Sequence, residues 1–218
     1  MESGNRTFLV VVGALALVGA ILLARRPGSD RPAQAAAGQP AAISAGDRAA
    51  GIRFAADVGA YDRQAVLRAV ADARPEARRL IDAVDGLVDL SVEQTQAGVA
   101  GTTQLVGARY DVRLNLGLAS RAGGQRAIDR LVLHELGHVV DFALVPDATF
   151  DALVAQVPAG YGCDDGVTGG CTTPEERFAD TFAKWATNDI GVDVALGYKI
   201  PPPADLEGWG APLSRLPV

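Results

Sequence analysis

The 218-residue chain contains two histidines, and they stand four apart in one pentapeptide, His134-Glu135-Leu136-Gly137-His138. Residues i and i+4 of a helix share a face one turn apart, so both imidazoles can reach one cation. The glutamate between them is then placed to take a proton from a water that the cation polarises. That set supplies a Lewis acid, a nucleophile and a general base, the elements of metal-assisted hydrolysis. A plainer reading is two packed histidines, each bonded to a backbone carbonyl. It is disfavoured because both of the chain's histidines sit at ligand spacing around a carboxylate.

Residues 125–145 read as one proline-free helix, with Pro146 just beyond its end. Leu131, Val132, Leu133, Leu136, Val139, Val140, Phe142 and Leu144 leave it almost no polar face, which predicts burial. Two imidazoles and the carboxylates Glu135 and Asp141 are costly in such a place unless paired or metal-bound. A zinc ion would satisfy both histidines. Asp141 falls on the ligand face, three residues past His138, and is expected behind the ligands, bonded to a histidine or to a second helix.

Catalytic zinc normally has three protein ligands and a water, and no third histidine exists. Cys163 or Cys171 is possible in principle; a carboxylate from Thr173 to Trp185 is the better candidate. Thr173 as N-cap with Pro174 in the first helical position starts a helix. Phe178, Phe182 and Trp185 form its buried stripe, while Glu176 and Asp180 share another face. Thr173-x-x-Glu176 is also a capping box, which needs no metal. Spacing alone ranks Glu176, Glu175 and Asp180 in that order without separating them widely.

The pentapeptide followed by Glu176-x-Phe178-Ala179-Asp180-x-Phe182 resembles the gluzincin pattern. More narrowly, it is similar to the catalytic domain of lethal-factor-type toxin metalloproteases and related small bacterial peptidases, where the second motif reads E-F-F-A-E-A-F. The resemblance covers roughly Arg109 to Trp185. It implies that Glu176 is the third ligand of Zn²⁺ and that Asp180 orients a histidine from behind. It also makes Tyr161-Gly162 the counterpart of the family's Tyr-Gly, whose hydroxyl stabilises the oxyanion. A glycine-rich insert, Cys163 to Cys171, departs from the family between that tyrosine and the glutamate. Tyr198 is a second candidate hydroxyl on the substrate side.

The expected fold is α+β: a zincin-like domain with a small sheet and a buried active-site helix, preceded by an N-terminal hydrophobic helix. Helical spacing marks 62–73 and 75–84, strand-like runs mark 87–92, 103–106 and 109–116, and a further helix is expected at 147–157. In the third run Tyr110, Val112, Leu114 and Leu116 alternate with Asp111, Arg113 and Asn115. The resemblance suggests that this strand is the sheet edge lining the cleft, pairing with an extended peptide by β-addition. Past Trp185 the signals fade, and the Pro/Gly-rich tail with Trp209 reads as a segment wrapped on the surface.

Residues 8–24 are apolar or glycine throughout, the short end for a membrane span and just above a signal-peptide core. The division is 1–26 as membrane anchor or signal segment, 27–51 as an Ala/Gly/Pro-rich flexible linker, and 52–218 as one domain. Arg25, Arg26 and Arg31 favour a cytoplasmic domain by positive-inside counting. A disulfide between Cys163 and Cys171, worth about 2.5 kcal/mol in the chain-entropy model, argues for the outside. The balance favours a membrane-anchored or secreted, extracytoplasmic domain. A net charge of −6 leaves no basic footprint, so nucleic acid is excluded as a partner.

These features point to a zinc peptidase acting on a peptide or protein substrate. Its rivals are a non-catalytic, zinc-stabilised binding module tethered to the membrane, and a zinc amidase acting on a non-peptide amide. Glu135 speaks against the first, because a metal that serves only folding has no need of it.

Overall fold

The computed structural model describes residues 51–93, 100–160, 172–191 and 199–218. Strands β1 (Arg53–Phe54), β2 (Val88–Val92), β3 (Gly101–Val106) and β4 (Arg109–Leu114) form one sheet in the order β1-β2-β4-β3. The first three of that order run parallel, and β3 lies antiparallel to β4 on the outside. Gly107 turns this hairpin at φ 64°, a left-handed conformation that costs glycine nothing. Along β4, Tyr110, Val112 and Leu114 are buried, while Asp111 and Arg113 pair with each other on the opposite face.

The resemblance makes this strand the sheet edge, but β4 is an internal strand, and among the described residues the edge beside it is β3. The strand also ends sooner than the alternation suggests. Asn115 accepts a hydrogen bond from the Leu118 amide at 2.9 Å, which caps the next helix and turns Leu116 into its first residue.

Six α-helices pack with this sheet among the described residues: α1 (Ala60–Asp72), α2 (Pro75–Val84), α3 (Leu116–Leu144), α4 (Asp147–Val154), α5 (Pro174–Thr187) and α6 (Leu206–Ser214). Two helical stretches make up α3, joined across Gly123 and Gly124, the latter at φ 61°. The second stretch carries the histidines and begins where the sequence places it. Leu131, Val132, Leu133, Leu136, Val139 and Val140 are all buried, each contributing about 1.5–3 kcal/mol of hydrophobic stabilisation. With α1, α2, α5 and β3 packed against it, α3 is the centre of the core.

The tail differs from expectation. Asp205 caps α6 through the Gly208 amide at 2.8 Å, and Trp209 is fully buried, its indole N–H donating to the Leu153 carbonyl at 3.1 Å. Gly210 makes room for the Trp185 indole, which would collide with any Cβ there. Two glycines and a proline in nine residues hide this helix from propensity. No helix of the described residues is long and apolar enough to cross a membrane; the hydrophobic segment 8–24 and the linker up to residue 50 lie outside them.

Candidate metal centre

Helices α3 and α5 meet closely because Gly137, between the two histidines, presents no side chain to α5. A Cβ there would sit 3.1 Å from Phe182 Cδ1 and 3.4 Å from the Ala179 Cα. Thr173 caps α5 through the Glu176 amide and Pro174 occupies its first turn, as the sequence predicts. Buried Phe178, Phe182 and Trp185 fix the face that α5 turns to the core.

This docking brings Glu176 to both histidines. His134 Nε2 lies 3.1 Å from Glu176 Oε2, and His138 Nε2 lies 3.6 Å from Glu176 Oε1. One donor atom from each of the three falls within 4.8 Å of the others. Tetrahedral zinc with bonds of about 2.0–2.2 Å needs ligand atoms about 3.3–3.6 Å apart, which the two nitrogen–oxygen separations approach, so the donor set suits such an ion in chemistry and in reach. Of the three carboxylates ranked from spacing, Glu176 is the one in the group.

Electrostatics tie the three together. Burial opposes charge on His138, yet Glu176, with Glu135 and Asp141 behind it, outweighs that penalty and pushes the imidazole up to about 9. Burial likewise works to raise Glu176, but the two histidines hold it well below the ordinary carboxylate range. The His138–Glu176 pair therefore favours imidazolium and carboxylate. His138 Nδ1 is buried without a hydrogen-bond partner among the described residues. Asp141, fully buried one turn on, acts electrostatically on His138 and on Tyr110.

Glu135 points to the sheet. Its Oε2 accepts from the Thr103 hydroxyl at 2.7 Å, and its carboxylate rests on Gly101, where a Cβ would come within 2.7 Å of Glu135 Cδ. Burial pushes this carboxyl up, while the histidines and the Thr103 hydrogen bond work against the rise. Edge strand β3 therefore holds the acid between the histidines, a task the sequence reading gave to no residue. A threonine and a glycine in a short strand carry no signal that separates this role from ordinary packing.

Asp180 is placed differently from what the resemblance implies. Its two oxygens go to cations, Oδ1 to Arg130 Nη2 at 3.1 Å and Oδ2 to Lys184 Nζ, rather than to a histidine. Both cations are buried, and Asp180, four residues past Glu176 and four before Lys184, is the carboxylate that compensates them. Tyr161, Tyr198 and the Cys163–Cys171 loop lie outside the described residues. No protein-family model, curated protein or solved structure matches the chain, so the chemistry of the centre rests on its own residues.

Proposed function

We propose that the chain is a zinc-dependent peptidase. The observation that carries this reading is the convergence of His134, His138 and Glu176 on one point, with a buried glutamate from the same helical turn held beside them by the sheet edge. A group assembled only to hold a structural metal has no use for that second acid, and closed structural zinc sites are built chiefly from cysteine.

In this reading the three side chains hold the ion through two imidazole nitrogens and one carboxylate oxygen. A zinc ion held there would supply Lewis acidity to a water or a scissile carbonyl. Glu135 accepts the proton from the attacking water and returns it to the departing amine. Its raised affinity for protons, set by burial, suits a group that must take a proton and give it back. Among the described residues no strand pairs with the outer edge of β3, which offers backbone groups to an extended peptide, and Gly101 and Thr103 on that strand put such a peptide next to the base. The corrected edge thus keeps the β-addition reading and moves it from β4 to β3.

The test is zinc per chain in the purified full chain, beside Glu176→Ala and Glu135→Gln. The expected result is about one zinc in the parent, a sharply weakened site in Glu176→Ala, and full zinc with lost proteolysis of a denatured protein substrate in Glu135→Gln. A parent that takes up no zinc after supplementation and dialysis refutes the reading.

A further inference from the structure

The polar residues between α3 and α5 form two facing rows at four-residue spacing. On α3 they are Arg126, Arg130, His134 and His138; on α5 they are Lys184, Asp180 and Glu176. The rows run in opposite directions. At one end Glu176 meets both histidines, one turn along Asp180 meets Arg130, and past the end of α5 Asp189 meets Arg126 at 2.7 Å. Only the first rung touches the metal centre.

We infer that Arg130 and Asp180 are positioning residues that set the sliding register of α5 against α3 and so hold Glu176 opposite the two histidines. Arg130 is 4 % exposed and uses its guanidinium as a three-way tie. One nitrogen bonds Asp180, and another donates to the Asp189 carbonyl at 3.0 Å and the Gly191 carbonyl at 3.3 Å. Those carbonyls follow the left-handed Asn188 that ends α5, so the arginine grips this helix both along its side and past its C-terminus. A cation at that end also complements the helix dipole.

The apolar contacts cannot set this register alone. Phe178 and Phe182 stack on each other, Phe182 lies against Gly137, and Trp185 packs on Trp209. Contacts of this kind carry no directional bond, and one residue of slip moves a helix by about 1.5 Å along its axis. Against contacts of 3.1 and 3.6 Å, that displacement takes Glu176 out of reach of at least one histidine. Charged hydrogen bonds between planar groups are directional and specify one position. Buried ionic groups can serve specificity of this kind while adding little stability.

The inference rests on the metal reading of the centre, and the experiment separates the two. The full chain is compared with Asp180→Asn, which keeps shape, and with Arg130→Met. Val66→Ala, a core truncation on α1, serves as a control for destabilisation. Zinc dissociation constants come from competition with a chromophoric chelator, and melting temperatures are measured without metal. The expected result is a zinc affinity about 10–100-fold weaker in both variants, the range found for residues that orient ligands from behind, with parental affinity in Val66→Ala. If parent and variants bind zinc equally, or if the control weakens zinc as much as they do, Arg130 and Asp180 only stabilise the fold and the inference fails while the metal reading stands. If the parent binds no zinc, the metal reading fails and this inference falls with it.

Discussion

Thr103→Val isolates what the sheet edge does for Glu135. The Thr103 hydroxyl has one proton and two acceptors in reach, the Glu135 carboxylate at 2.7 Å and the Glu135 backbone carbonyl at 3.1 Å. If the proton goes to the carboxylate, valine removes a hydrogen bond to a charged group, worth about 1.5–3 kcal/mol; if it goes to the carbonyl, the loss is about 0.5–1.5 kcal/mol. Thr103 is 1 % exposed and valine fills nearly the same space, so no cavity clouds the comparison. The two cases differ in pH dependence. Burial raises the Glu135 carboxyl, so the folded chain holds that proton more tightly than the unfolded chain. Its contribution to stability is therefore complete in acid and is lost as pH rises through the raised value. Removing a donor that opposes the rise enlarges this loss, so the deficit of the variant must grow with pH. Denaturant unfolding of zinc-free parent and variant at about pH 4 and about pH 8 should give a deficit near 1 kcal/mol in acid and about 1.5–3 kcal/mol in base. A deficit that is the same at both ends assigns the proton to the backbone carbonyl and refutes the claim that β3 orients the acid.

Two further outcomes follow from the contacts around the centre. Gly137→Ala should gain about 1 kcal/mol of helix propensity and lose about 1–3 kcal/mol to crowding against Phe182 and Ala179. Unfolding should then show a net cost of about 0–2 kcal/mol while chelator competition shows weakened zinc, because the shift that relieves the crowding moves Glu176; unchanged zinc affinity would mean that α5 yields elsewhere. Glu176 pushes the His138 imidazole up to about 9, and a zinc ligand must give up the proton this favours. Zinc affinity should therefore rise about tenfold per pH unit from about 7 to about 9, and titration calorimetry in buffers of different ionisation heat should register about one proton released. A flat profile would show that His138 is already neutral.

The sequence disclosed what is local. Spacing within one helix placed His134, Glu135 and His138 together, and the Thr173–Pro174 start located α5, because caps and turns of helix are written in consecutive residues. Glu176 needed more: the capping-box reading explained it equally well, and only the docking of α5 turns its carboxylate to the histidines. The placing of β4 at the edge rests on the resemblance and not on its residues. Alternation along 109–116 reports that one face is buried and the other polar, a pattern equally compatible with an internal strand; the partner on each side depends on β3 folding back through Gly107. Helix α6 was missed because its stabilisation comes from Trp209 in the core and Gly210 beneath Trp185 rather than from propensity.

The rows between α3 and α5 show why the resemblance transfers incompletely. A carboxylate four residues after the third ligand is present, and the motif assigns it to a histidine. In this chain an arginine stands one turn before the first histidine and a lysine one turn after that carboxylate, and both are buried. Leaving either unpaired would cost about 3–5 kcal/mol, more than a hydrogen bond to a neutral imidazole returns. The aspartate goes to the cations for that reason. The α5 residue that supports the centre through α3 therefore does so by fixing where α5 lies, while Asp141, one turn past His138 on its own helix, contributes an electrostatic pull on that imidazole's proton.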